Sequence, residues 1–207
     1  MTAQLAPHLS HKSALVLLPS SAITSPIELV RRVHDRHFRR WPPHINLIYP
    51  FLAFPSEKQE TDDAQNAASP QLKQHIRQRI EKALANTSPF RTSLSADPPG
   101  IFSHSKRSKT VWLRPASENF SALHAALQAE FQECDADQRP FVPHLSIGQA
   151  NSDPGAQRLS ETIKAHALEF TNDQPTLQWD VDQVFVIERR GFHDRFRVVG
   201  AVNIGGK

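Results

Sequence analysis

The sequence predicts an α+β fold of two similar lobes, and three observations carry that reading. Short apolar runs alternate with amphipathic helical stretches along the chain. The order helix, Pro, strand, helix occurs once in each half. A length of 207 residues suits one large domain, or two small lobes sharing a core, better than two unrelated domains. Hydrophobic residues at 39% and charged residues at 22% exclude a disordered chain, and a formal charge of +3 is a mild basic bias compatible with anionic ligands.

The fold is expected to begin at Ser13, with residues 1–12 as a flexible N-terminus and 13–207 as a single bilobal domain. Ala14 to Leu18 form the first strand, and this longest apolar run is far short of the ~20 residues that cross a bilayer. Ser25-Pro26-Ile27-Glu28 combines a capping Ser, a Pro at the first helical position and a Glu at the third, predicting a helix to about residue 38. Its apolar stripe is Ile27, Val30, His34 and Phe38, and Arg31, Arg32, Arg36, Arg39 and Arg40 form a basic opposite face. Pro42-Pro43 ends that stretch, and 44–52 reads as a strand. Residues 55–70 lack apolar pattern and read as a flexible loop.

Leu72, Ile76, Ile80 and Leu84 mark the next helix, and 90–96 and 110–114 two strands joined by a basic loop. In the second half, Phe120, Leu123, Leu127 and Phe131 share a helical face. A strand over 141–148, a helix with Leu159 and Ile163, and strands near 177–188 and 195–204 complete the chain. Cys134 is the sole cysteine, which excludes an intramolecular disulfide, four-Cys zinc sites and CxxC redox chemistry. A reducing compartment follows: the cytoplasm is the expected location, with the nucleus as alternative.

Two of these strands begin alike, Pro43-His44-Ile45-Asn46-Leu47-Ile48 and Pro143-His144-Leu145-Ser146-Ile147-Gly148. Alternation puts His44 with Asn46, and His144 with Ser146, on one face of each strand. The triplet His-x-[Ser/Thr/Asn] alone is weak: composition predicts about two by chance and four occur, at His8, His11, His44 and His144. Only the last two open Pro-led apolar runs, one per half. A lone His at a strand start is usually structural; two in matched contexts, 100 residues apart, favour a catalytic pair.

Two imidazoles in one cleft can work with one neutral as general base and one protonated as general acid, the division that opening a phosphodiester requires. The Asn46 amide and Ser146 hydroxyl would hold the non-bridging oxygens. Arg39, Arg40, Tyr49 and Arg189 are further candidates for binding phosphate or stacking a base. His34 and His37 stand three apart but lack an acidic third ligand in a recognised spacing, so no metal site is expected.

These motifs resemble the two-histidine (2H) phosphoesterase superfamily, whose mark is a pair of His-hydrophobic-[Ser/Thr]-hydrophobic motifs, over about residues 14–204 of this chain. The resemblance implies two antiparallel sheets flanking a central cleft with helices outside, and His44 and His144 as the catalytic pair. It also implies phosphate binding by Ser146, a 2′,3′-cyclic phosphate or RNA-end substrate, and no cofactor. Asn46 replaces the family's usual Ser or Thr, and Gln149 stands where the bacterial ligase-like branch carries Arg. Ile147-Gly148 looks more like a small phosphodiesterase than a tRNA-handling enzyme. The expected partner is a nucleotide or RNA end, with RNA itself a further one, no membrane, and the chain a monomer. Two readings compete: a phosphatase for nucleoside di- or triphosphates or small phosphorylated metabolites, and a non-catalytic RNA-binding module.

Overall fold

The computed structural model describes residues 5–57, 70–116 and 118–205. In chain order its elements are β1 (Leu9–Ser10), β2 (Ser13–Leu17), α1 (Ser21–His34), β3 (Ile45–Ile48), β4 (Phe51–Leu52), β5 (Ser56–Glu57), β6 (Gln71–Leu72), α2 (Gln74–Leu84), β7 (Phe90–Ser105), β8 (Ser108–Pro115), α3 (Asn119–Glu130), β9 (Leu145–Ala150), α4 (Asp153–Thr171), β10 (Thr176–Val181), β11 (Gln183–Glu188) and β12 (Arg197–Asn203). Two four-stranded antiparallel sheets run in the orders β12-β11-β2-β3 and β10-β7-β8-β9. The α+β class and the paired sheets agree with the sequence.

The helices cross between the halves. α1 leaves β2 of the first sheet but packs on β9, β10 and α4; α3 leaves β8 of the second but packs on β3 and α2. α4 lies against β7, β8, β9 and β10, and α2 against β12. Each lobe is therefore built from both halves of the chain.

Several boundaries differ from expectation for identifiable reasons. Ordered structure starts before Ser13, because Leu9 is buried and pairs opposite Leu52. α1 starts at Ser21, a turn ahead of the Pro26 signal, since Ile23 is buried and extends the stripe of Ile27 and Val30. It ends at His34, where Asp35 N–H donates to the Arg31 carbonyl at 2.8 Å. The connection expected between the second-sheet strands shortens to a turn at Lys106-Arg107, because β7 runs on through Asp97-Pro98-Pro99-Gly100 to Ser105, absorbing the prolines as a shift of register against β8. The loop expected over 55–70 lies mostly outside the described residues; its flanks, Ser56–Glu57 and Gln71–Leu72, pair as β5 and β6. Among the described residues no helix is long and apolar enough to cross a membrane.

One glycine sets the distance between α1 and the second sheet. A Cβ built on Gly148 of β9 would lie 2.8 Å from His34 Cβ and 3.0 Å from the His34 carbonyl oxygen. Neither atom is a flexible side-chain end, so α1 closes onto β9 only because this position has no side chain. Gly148→Ala should lower the unfolding free energy by about 1–3 kcal/mol, the usual cost of overpacking a fitted core. Urea denaturation reads this directly, and an unchanged midpoint would show that the helix has room to move.

Candidate active site

The two motif histidines sit just ahead of β3 and β9. These are edge strands, β3 pairing β2 and β9 pairing β8 within their sheets, although such apolar runs more often lie centrally in a sheet. The hydrophobicity that reads as centrality comes from Ile45, Leu47, Ile48, Leu145 and Ile147, which cover the core beneath the sheets.

Both strands carry the same irregularity. Along β2, Val16 faces Asn46 and Leu15 faces Ile48, which leaves Leu47 as an extra residue on β3. Along β8, Trp112 faces Ser146 and Val111 faces Gly148, which leaves Ile147 extra on β9. A bulge inserts one residue and reverses the alternation beyond it. Regular pleating would align Gly148 with Ser146; instead Gln149, opposite Thr110, returns to the Ser146 face. By the same count Tyr49 returns to the Asn46 face.

The histidine rings are held alike. His44 Nδ1–H donates to the Pro42 carbonyl at 2.8 Å, and His144 Nδ1–H to the Val142 carbonyl at 2.7 Å. A carbonyl can only accept, so each bond fixes a proton on Nδ1, and in the neutral ring the lone pair is then on Nε2. His44 stacks on Trp41 with centroids 4.6 Å apart, and Trp41 rests on Phe196 at 3.9 Å. His144 meets Phe102 edge-on at 4.9 Å and Trp112 at 5.9 Å. The Trp112 ring lies across Gly100, where a Cβ would come within 2.1 Å of it.

A cavity of about 400 Å³ opens here, its walls including Arg31, Asp35, Trp41, His44, Asn46, Thr110, Ser146 and Gln149. Of the sequence-predicted residues, His44, Asn46 and Ser146 line it. His144 is not in its wall; its ring packs against Phe102 and Trp112. Arg39, Arg40, Tyr49 and Arg189 are not in its wall. Arg40 contacts His37. Tyr49 packs edge-on to Trp41 at 5.3 Å and donates to the His11 carbonyl at 3.4 Å. Arg189 donates to the Phe192 carbonyl at 2.6 Å and lies over the Phe196 ring at 4.6 Å. Tyr49 and Arg189 thus stand behind Trp41, backing the His44 ring.

The residue that periodicity misplaces is Arg31. It is not on a solvated face but 2% exposed, donating through Nε and Nη2 to Asp35 at 3.0 and 2.7 Å and through Nη2 to the Trp41 carbonyl at 3.0 Å. Asp35 also accepts from His37 N–H at 2.8 Å and from Gln149 Nε2 at 3.2 Å, while Gln149 Oε1 accepts from Arg36 N–H at 3.0 Å. This network joins α1, the 36–41 turn and β9. Arg31 Nη1 and Asn46 Oδ1 are buried without a hydrogen-bond partner among the described residues, and both side chains belong to the cavity wall. The signal in the sequence was the i, i+4 spacing of Arg31 and Asp35, with Arg31 one turn after Ile27 on the buried stripe.

Burial is the main force on both imidazoles. It holds His44 down to about 4, the positive charges of Arg31 and His144 adding to it and the Pro42 carbonyl opposing it. His144 is lowered by burial, with Arg139 adding and the Val142 carbonyl opposing. Among the described residues no three His, Cys, Asp or Glu side chains form a metal-binding group.

Comparison with known proteins places this chain in a family. The family model of the 2′-5′ RNA ligase superfamily matches residues 18–192, and the chain belongs to that superfamily. A protein of Bacillus cereus (strain G9842), described as a phosphoesterase, is 28% identical over 170 residues, covering 79% of this chain and 83% of its own. A Bacillus anthracis protein of the same description is 27% identical over the same span. Among solved structures, the TT0787 protein of Thermus thermophilus aligns over 94% of this chain and 98% of its own with 17% identity and a TM-score of 0.51. LigT of E. coli, complexed with 3′-AMP, aligns over the same shares with 14% identity and a TM-score of 0.51. These two likenesses concern the fold.

Because folding depresses the His44 pKa below its ordinary value near 6.5, the unfolded chain binds that proton first. Native stability should therefore fall as pH drops from about 6.5 toward 4, this contribution levelling off below about 4. A His44→Gln variant should lose less stability than the wild type across that window in denaturant titrations. Parallel curves for the two proteins would mean that His44 is not held neutral.

Proposed function

We propose that this protein is a phosphodiesterase that opens 2′,3′-cyclic phosphates or related RNA-end diesters by paired histidine acid–base catalysis without a metal. The observation that carries the reading is the matched pair of imidazoles, each tied by Nδ1 to the carbonyl two residues earlier, with Asn46 and Ser146 at the corresponding places beside them. The nucleotide bound by the fold neighbour LigT supports a nucleotide substrate.

His44 is the general base. Burial and the adjacent Arg31 charge keep it unprotonated, so its Nε2 takes a proton from water as the water oxygen bonds to phosphorus. His144 is the general acid, giving its Nε2 proton to the ribose oxygen as the old P–O bond breaks. Ser146, the Asn46 amide and Arg31 Nη1–H donate to the non-bridging oxygens, whose charge grows in the transition state. After one turnover His44 holds the proton that His144 has lost, and exchange with solvent resets the pair.

Purified protein assayed with EDTA on 2′,3′-cyclic nucleotides tests this. His44→Ala and His144→Ala should each lower kcat by about 10²–10⁴-fold, and the double variant should be little worse than either, since the two act as one unit. Ser146→Ala should cost on the order of 10²–10³-fold. Asn46→Ser should retain activity if the amide stands in for a hydroxyl. With both free-enzyme imidazoles lowered, the kcat/KM profile should be a bell whose acid limb lies at about 4 and whose maximum lies below 6.5. Loss of activity with EDTA, or near-additive losses in the double variant, would refute the mechanism.

A further inference from the structure

A second cavity, about 560 Å³, adjoins the first and shares Arg36 and Gln149 with it. Three guanidinium groups reach it from three separate elements: Arg36 from the turn after α1, Arg107 from the tip of the β7–β8 hairpin and Arg158 from α4. Among the described residues no acidic side chain is in its wall, and none of the three arginines is in an ion pair. Asp153, in the first turn of α4, is engaged by Lys109 at 2.9 Å. Like charges gathered around a hollow repel one another, and an anion placed there relieves that repulsion.

The rest of the wall narrows the choice of anion. Gln149 and Asn151 supply amides that both donate and accept, Thr162 a hydroxyl, and Leu159 with Ala150 an apolar floor. A volume of this size fits a nucleotide rather than a lone phosphate. Because the two cavities share walls, one chain can occupy both.

We propose that the second cavity is a subsite for single-stranded oligonucleotide, holding the phosphodiester and base next to the end that reacts between His44 and His144. The inference rests on the phosphodiesterase reading of the first cavity and deepens it: the preferred substrate is an oligonucleotide ending in a cyclic phosphate rather than a mononucleotide. Arg36, Arg107 and Arg158 hold backbone phosphate; Gln149 and Asn151 face the neighbouring base.

The test compares a nucleoside 2′,3′-cyclic phosphate with an oligonucleotide of about ten nucleotides ending in the same cyclic phosphate, on the wild type and on Arg107→Glu/Arg158→Glu. These two residues lie outside the first cavity. The wild type should prefer the oligonucleotide in kcat/KM by tenfold or more, chiefly through KM. The variant should lose that preference while turning over the mononucleotide as before. Two phosphate contacts removed should also reduce the salt slope of log affinity by about 1.4, at roughly 0.7 per contact on a single strand. Equal kcat/KM on both substrates in the wild type, or equal losses on both in the variant, would overturn the subsite. If the wild type turns over neither substrate, the phosphodiesterase reading fails on its own. Fluorescence anisotropy of the labelled oligonucleotide then judges the cavity separately: weaker binding by the variant upholds it, and equal binding rejects it.

Discussion

Arg31 and Asp35, one helical turn apart and both buried, hold the candidate site together. Asp35 spends its oxygens on Arg31, on the His37 amide and on Gln149, and Arg31 reaches on to the Trp41 carbonyl. Three segments distant in sequence are fixed by this pair: the end of α1, the turn that carries Trp41 toward His44, and β9 with Ser146. A buried ion pair gains little net stability, but losing one partner strands the other at a cost of about 3–5 kcal/mol. Such a pair makes sense where position matters more than stability. It needs α1 to sit against β9, and Gly148 permits that approach.

The two halves of the site are alike in backbone and unlike in surroundings. Each has a Pro before the His, an Nδ1–H bond to the second carbonyl back, and a bulge one residue past the Asn or Ser. Around these equal frames, His44 has Trp41 flat against it and Arg31 close by, while His144 has the edges of Phe102 and Trp112. The backbone frames are alike, and in both surroundings burial lowers the proton affinity of the imidazole.

Much of this is legible in the sequence, because periodicity and punctuation are local. The α2 and α3 stripes, the Pro-led strands and the His-x-Asn and His-x-Ser motifs could be read directly. What could not be read depends on contacts between segments far apart. Arg31 looks solvated among neighbouring arginines until α1 packs on β9; the strands look central because their residues are apolar, although they lie at sheet edges. The bulges at Leu47 and Ile147 leave no mark in composition, yet they decide that Gln149 faces the cleft. Tyr49 and Arg189, picked as an aromatic and a cation near the motifs, occupy the layers behind Trp41 instead, and Arg40 lies against His37. The continuity of β7 through two prolines also defeats a local rule, since pairing with β8 and β10 carries the strand past them.

The central claim is that His44 and His144 present their Nε2 atoms to one phosphate while their Nδ1 protons stay on backbone carbonyls. Nitrogen-15 NMR of labelled imidazoles, with and without inorganic phosphate, tests it most directly. The account predicts that phosphate shifts the Nε2 resonances of both rings together at one binding constant, and that both Nδ1 protons persist. A phosphate response from only one of the two histidines, or an Nε2 proton on His44 of the free protein at neutral pH, would contradict it.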